Sequence, residues 1–442
     1  MTHQNPSTGG AVPAAAEERE DIAPETGRYP LASSQIALLE DQLAFPENTW
    51  VSSFDIVELD VHLSERQVRN LLTHMCRSYE ALRSRVLVDA QGGLRQQVFG
   101  IDHFFEHSFR YLGALTEADV KAVVEKRLDA FVQSTFFVVG DGPGGTVLCY
   151  LAHHSFFDGT AMAALRSAII RAARDDTVVN APDQLPHTPT GVQPRQVKQY
   201  EDQPRGRHNT AKWLELHGTR FTTPWSPSPA PHPGEIEIED SCAFDLGKEL
   251  FAALAQAATR TGITVPSLLN SLVCAYTGQE FGLRQVLLKT SCSNRFLPAL
   301  RDSVTCLASE IWVLREQGAG DFAERHRSFH TELSSAYRNG LYDWDRVRRA
   351  PNFRTPNRSE QTVSTNIIMG GSPDGLPALP RTYSPRRVLT VPFALAHDLA
   401  IDIVHSSHDA RIAVKTARRC FAEEAPQDLA RGLHRYIQHD LA

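Results

Sequence analysis

Apolar positions first fall into a regular pattern in a strand-like run from Phe54 to Val61. Behind it, Ser64-Glu65-Arg66-Gln67 has the form of a capping box, in which the Ser64 hydroxyl and the Gln67 side chain satisfy free N–H groups at a helix start. Val68, Leu71, Leu72, Met75, Tyr79 and Leu82 follow at three- and four-residue spacing and predict one stripe of an amphipathic helix. Thr116-Glu117-Ala118-Asp119 marks a second helix start, ahead of Val120, Val123, Val124, Leu128 and Phe131. Phe136 to Val139 and Thr146 to His154 read as two strands, with Gly140-Asp141-Gly142-Pro143-Gly144-Gly145 as the loop between them. A helix from about Gly159 to Arg174 completes this half.

The second half repeats the alternation. Helices near Leu246–Thr261 and Val265–Phe281 lead to a strand at Val286–Ser291, and further strands are expected at Glu310–Leu314, Thr362–Met369, His397–Val404 and Arg411–Thr416. Between the halves, residues 181–235 are rich in Pro, Asp, Gln and Arg and predict a long irregular linker with one short helix near Lys212-Trp213. Residues 1–28 carry nothing that buries a face and read as a disordered leader. The expected organisation is therefore α/β, with an N-terminal lobe over 29–180 and a C-terminal lobe over 236–442.

Composition narrows the class. Of 442 residues, 42% are hydrophobic and 22% charged, which is ordinary for a soluble globular chain long enough for two or three domains. A net charge of -7 gives no basic footprint for nucleic acid or anionic lipid. No apolar run approaches the ~18 residues of a membrane span. The seven cysteines are scattered, odd in number and without a CxxC pair, and the N-terminus has no secretory pattern. Reduced thiols in a cytoplasm are the expectation.

The densest chemistry lies in Leu151-Ala152-His153-His154-Ser155-Phe156-Phe157-Asp158-Gly159. If the strand runs through both histidines, Leu148, Tyr150, Ala152 and His154 share one face, and Val147, Cys149, Leu151 and His153 the other. One histidine then works on substrate while the other supports, and a metal pair, which needs convergent ligands, is disfavoured. Asp158 stands where the following helix begins. Taken singly it reads as an N-cap, and the histidines as satisfied interior residues.

The combination resembles a known family. HHSFFDG matches the HHxxxDG motif of the condensation-domain superfamily, which includes nonribosomal peptide synthetase condensation domains, chloramphenicol acetyltransferase and polyketide-associated acyltransferases. Tyr29-Pro30-Leu31-Ala32-Ser33-Ser34-Gln35 resembles its opening PLSxxQ segment, and Tyr79-Glu80-Ala81-Leu82-Arg83-Ser84-Arg85-Val86 its HExLRTxF segment, with Tyr79 for the usual His. Ser293-Asn294-Arg295 stands at its Gly-Arg pair. Cys306 to Arg315 resembles GxFVNTLxLR, with Cys306 and Glu310-Ile311 for the family's Gly and Asn-Thr. The resemblance spans residues 29–435. The late DFGWG segment of plant-type acyltransferases is absent, the histidines are not replaced by the DxxxxD of cyclisation domains, and chloramphenicol acetyltransferases are about half this length. A free-standing condensation enzyme fits best.

This resemblance implies two chloramphenicol-acetyltransferase-like lobes in a V-shaped pseudo-dimer with a central tunnel, and acyl transfer from a thioester to an amine or alcohol. It makes His154 the catalytic candidate, as base, acceptor-positioning group or stabiliser of the tetrahedral intermediate. Asp158 becomes a structural residue paired with an arginine, Arg295 first and Arg83 second. His153 and Gly159 support the motif, with Gly159 easing the turn into the helix and substrate approach and its N–H available to help stabilise an oxyanion. Asn366 falls at an acceptor-side polar position. No bound cofactor or metal is implied. The donor arrives on the phosphopantetheine of a separate carrier protein, or on coenzyme A, and the acceptor is a small or carrier-bound amine or alcohol, so a monomer suffices. A coenzyme-A-dependent acyltransferase and a non-catalytic recruitment domain are the alternatives. Outside the motif, the late group His397-Asp398, His405 and His408-Asp409 reads as strand and turn residues, and Gly370-Gly371-Ser372 as a loop.

Overall fold

In the computed structural model, residues 27–44, 52–181, 189–217, 239–318, 320–350, 363–369, 399–405, 409–417 and 421–441 are described. The chain divides into two units. The first runs to Tyr200 and takes in Leu297–Leu307; the second comprises Glu201–Phe296 and the chain from Ala308 onward.

The first unit begins with β1 (Arg28–Pro30), α1 (Ser33–Ala44), β2 (Ser52–Glu58) and α2 (Glu65–Ser78). The Ser64 capping box forms as the sequence predicts, and Val68, Leu71, Leu72 and Met75 turn the α2 stripe into the core. Next come β3 (Ser84–Val88), β4 (Leu94–Val98), α3 (Ile101–His107), β5 (Phe109–Ala114) and α4 (Glu117–Glu125), the last opened by a Thr116–Asp119 capping box. A hairpin of β6 (Thr135–Gly142) and β7 (Gly145–His153) leads to α5 (Gly159–Ala173), α6 (Asp176–Asn180) and α7 (Pro194–Glu201). The main sheet has the order β2-β7-β6-β5, parallel only between β5 and β6, and β1-β4-β3 form a separate small sheet. The hairpin strands extend further than expected, so that only Pro143-Gly144 turn between Gly142 and Gly145. Gly145 has φ 149°, and a Cβ there would lie 2.0 Å from the Leu59 carbonyl oxygen. No other residue fits that position without moving backbone.

The second unit contains α8 (Pro204–His217), β8 (Glu239–Asp245), α9 (Lys248–Thr261), α10 (Val265–Glu280), β9 (Gln285–Cys292), β10 (Ser309–Glu316), α11 (Phe322–Arg338), α12 (Trp344–Arg348), β11 (Val363–Met369), β12 (Leu399–His405), β13 (Ala410–Ala417) and α13 (Ala425–Leu441). Its sheet has the order β10-β9-β11-β12-β13-β8, with β11 parallel to both neighbours.

Two features differ from the sequence reading. The described part of the 181–235 region carries two helices, the whole of the eight-residue α7 and the fourteen-residue α8, the second being the helix expected near Lys212-Trp213 but longer. Proline and polar composition hid α7 and the length of α8. Trp213 of α8 meets the Trp312 ring at 5.5 Å and donates its indole N–H to the Asn339 carbonyl at 2.8 Å. The chain also returns: Leu297–Leu307, assigned to the C-terminal lobe from sequence, packs with the first unit. The 1–26 portion of the expected leader, Gly370-Gly371-Ser372, and His397, Asp398 and His408 lie outside the described residues.

Candidate active site

Strand β7 positions the site. Its nine residues are all buried, and it lies between β2 and β6. The strand ends at His153 rather than His154. The N–H groups of Phe156 and Phe157 both bond to the His153 carbonyl, at 2.9 and 3.1 Å, which folds His154-Ser155-Phe156 into a tight turn. The two imidazoles are thus separated by a turn, not by strand alternation. His153 points into the interior, and His154 is half buried with its Nδ1 shielded from solvent. Phe156 and Phe157 enter the core and anchor the turn from below.

His153 is held on both ring nitrogens. Its Nδ1 lies 2.8 Å from the Ser155 hydroxyl and accepts the Ser155 backbone N–H at 3.2 Å; its Nε2 lies 2.8 Å from Gln42 Oε1 on α1. Burial, and then the neighbouring His154, push the His153 pKa down to about 3, so this ring is neutral.

Asp158 does two things. Its Oδ1 accepts the Ala161 N–H at 2.7 Å and caps α5, and its Oδ2 accepts the Leu307 N–H at 2.8 Å. One buried carboxylate therefore starts the helix and ties the returning segment to the first unit. A second tie lies nearby, where the Val192 N–H donates to the Ser303 hydroxyl at 2.8 Å. Beneath the motif, Arg166 of α5 forms a two-point pair with Asp55 of β2, with Nε at 2.9 Å, and the Tyr150 hydroxyl donates to the same carboxylate at 3.3 Å.

Of the two arginines expected for Asp158, Arg83 is engaged elsewhere. Its Nε donates to the Cys76 carbonyl at 3.0 Å and its Nη1 to the Phe99 carbonyl, because the Glu80–Arg83 turn folds it back over α2. Arg295 belongs to the second unit, where its Nη1 donates to the Ser293 carbonyl at 3.1 Å. Asn294 before it has φ 56° and hydrogen-bonds the Ser309 hydroxyl at 2.9 Å. That left-handed conformation explains how an Asn stands where the resembled motif has Gly. Gly159 is not needed for the turn: its φ lies outside the left-handed range, and an added Cβ would meet nothing within 4 Å. Open space beside the first residue of α5 is what its lack of a side chain leaves. Asn366 lies in β11, in register with Asp402 of β12.

Gln42, Ser155 and Leu307 were not singled out by sequence. Ser155 occupies a variable position of the motif, Gln42 is 111 residues from its partner, and Leu307 contributes a backbone N–H that no side-chain pattern reveals. Other chemistries find no support nearby. Cys149, on β7 itself, is pushed up to about 12 by burial and is a poor nucleophile. Among the described residues no group of three or more His, Cys, Asp or Glu is placed to hold a metal ion, and no helix is long and apolar enough to cross a membrane.

No family model and no curated protein matches the sequence. Solved structures do match over nearly the whole chain. The first condensation domain of the calcium-dependent antibiotic synthetase, in complex with a substrate analogue, aligns at 16% identity and a TM-score of 0.67, over 94% of this chain and 97% of that one. The condensation domain of the monacolin K polyketide synthase MokA aligns at 11% identity and a TM-score of 0.72, with 94% and 97% covered. The epimerization domain from the third module of tyrocidine synthetase B aligns at 15% identity and a TM-score of 0.68, with 96% and 99% covered. With HHSFFDG at the end of a buried strand, these matches establish that the chain has the condensation-domain fold.

Proposed function

We propose that the protein is a condensation-type acyltransferase that joins a thioester-bound acyl or aminoacyl donor to an amine or alcohol, forming an amide or ester. The observation that carries this reading is the difference between the two histidines. His153 is locked neutral in the interior, while His154 is presented by a turn braced from below by Phe156 and Phe157 and from the side by Asp158. His154 is half buried beside the end of the buried strand, and an imidazole so placed can serve as a general base.

The acceptor's lone pair attacks the thioester carbonyl carbon while its proton passes to His154. The tetrahedral intermediate then collapses, the C–S bond breaks, and the departing sulfur takes the proton back from the imidazolium. The products are an amide or ester and a free thiol, with His154 restored. The acyl group passes directly to the acceptor, because the one thiol on the site strand, Cys149, is buried and protonated. The N–H groups at the start of α5 are a poor choice for the oxyanion, since the Asp158 carboxylate already caps that helix end. The developing negative charge is assigned to the His154 imidazolium instead.

The donor in this proposal is a pantetheine thioester on a separate carrier protein, and natural-product assembly is its setting. Arg295 as a support of the motif and Asn366 as an acceptor-side residue rest on the resemblance alone. The test is turnover with the same acyl group offered on a carrier protein and on coenzyme A, across pooled amines and alcohols. Product that depends on the carrier supports the proposal. Equal, saturable turnover with acyl-coenzyme A replaces it with a coenzyme-A-dependent transferase, and no product with either donor rejects it.

A further inference from the structure

The partners of His153 determine which of its nitrogens carries the proton. Nδ1 faces the Ser155 hydroxyl, which can donate or accept, and the Ser155 backbone N–H, which can only donate. In a neutral ring this arrangement favours the proton on Nε2, where Gln42 Oε1 accepts it at 2.8 Å. The orientation of the Gln42 amide is set in turn, because its Nε2 lies 3.5 Å from Oδ1 of Asp129, which only accepts. Asp129 is fixed by the Phe131 N–H at 2.9 Å. A continuous chain of bonds runs from Asp129 through Gln42 and His153 to Ser155, the residue after His154.

On the acyltransferase reading above, we propose that Gln42 is a positioning residue: it holds His153 in the Nε2–H tautomer, and through His153 and Ser155 it fixes the turn that presents His154. Gln42 touches no reacting atom in this role. Without that acceptor the Nε2–H is left unsatisfied, while the Ser155 hydroxyl can accept a proton held on Nδ1, so the balance shifts towards the other tautomer. The other tautomer would place an N–H on Nδ1 against the Ser155 N–H. That contact loosens the turn at the residue next to His154, and orientation of the base is where catalytic rate is most easily lost.

The test combines a spectrum with kinetics. ¹⁵N-histidine labelling of the full chain, with His153→Asn to assign the signal, reads the His153 tautomer directly. Gln42→Met keeps the length and removes the acceptor. Gln42→Glu restores an acceptor, and the Ser155 N–H still opposes protonation of Nδ1. The expected result is pure Nε2–H in wild type and a mixed tautomer in Gln42→Met. Gln42→Met should also show a kcat lowered roughly tenfold, the scale of one lost buried hydrogen bond, with KM unchanged. Gln42→Glu should recover both signals. An Nδ1–H ring in wild type overturns the proposal, and this holds even if no variant folds. So does full turnover by Gln42→Met, or turnover lost with the His153 signal unchanged. Absence of product from wild type with every donor would sink the acyltransferase reading and this role with it. Product from wild type with full activity in Gln42→Met would sink only the role of Gln42.

Discussion

Replacing Asp158 separates the bonds it makes to Ala161 and Leu307. Asp158→Ala removes the α5 cap and the acceptor of the Leu307 N–H together. An N-cap lost to Ala costs about 1 kcal/mol, and a buried N–H deprived of its acceptor about 1–3 kcal/mol, so the variant should lose about 2–4 kcal/mol. Asp158→Asn keeps one carbonyl oxygen. With that oxygen on Ala161, its NH₂ faces the Leu307 N–H, donor against donor, so the cap survives and only the second cost remains. Urea unfolding followed by circular dichroism gives the total. Hydrogen exchange of peptides covering 303–308 gives the local part, expected to speed up by roughly ten- to a hundredfold in both variants. Helix α5 should exchange faster only in Asp158→Ala. If both variants unfold within about 0.5 kcal/mol of wild type, or if 303–308 stays protected in Asp158→Asn, the carboxylate does not tie the returning segment and the reasoning fails.

Two further outcomes follow from the same region. His153 has a folded pKa of about 3 against 6.5 for a free imidazole, so between those values the unfolded chain binds a proton that the folded one refuses. Its contribution to stability is complete above about pH 6.5 and is lost as pH falls towards 3, at up to about 1.4 kcal/mol per pH unit. Urea midpoints from pH 7 to 4.5 should therefore fall more steeply for wild type than for His153→Asn, and parallel curves would contradict the buried neutral ring. Gly145→Ala should cost about 3 kcal/mol or more and lower the soluble yield, because φ 149° and the Leu59 carbonyl both exclude a Cβ. A wild-type midpoint for that variant would show that the hairpin turn is built differently.

What the sequence made legible was local. Ser64 with Gln67, and Thr116 with Asp119, announce α2 and α4 because a cap and its apolar stripe lie within a few residues of each other. The HHSFFDG run marked the candidate site because its residues are contiguous, and Asp158 read correctly as an N-cap for the same reason. What was hidden was long-range or carried by backbone. Gln42 meets His153 only because α1 packs beside the end of β7, and Leu307 returns to Asp158 across 149 residues with a main-chain N–H. Arg83, the second arginine expected for Asp158, is turned away because the Glu80–Arg83 turn aims its guanidinium at two nearby carbonyls, a geometry that residue types alone do not encode. Helix α8 was expected only as a short helix near Lys212-Trp213, and its full length was not, because Trp213 does much of the anchoring that a stripe of smaller residues does elsewhere.

The central claim is that His154 moves the proton in acyl transfer while the residues around it serve to present it. A mass-spectrometric assay with wild type and His154→Ala side by side tests this most directly, using acyl thioesters on carrier protein and coenzyme A with mixed amine and alcohol acceptors. New amide or ester should form with wild type and fall by at least about a hundredfold in His154→Ala, the scale of a lost general base, while circular dichroism and the urea midpoint stay at wild-type values. Near-normal product from a folded His154→Ala protein would contradict the account.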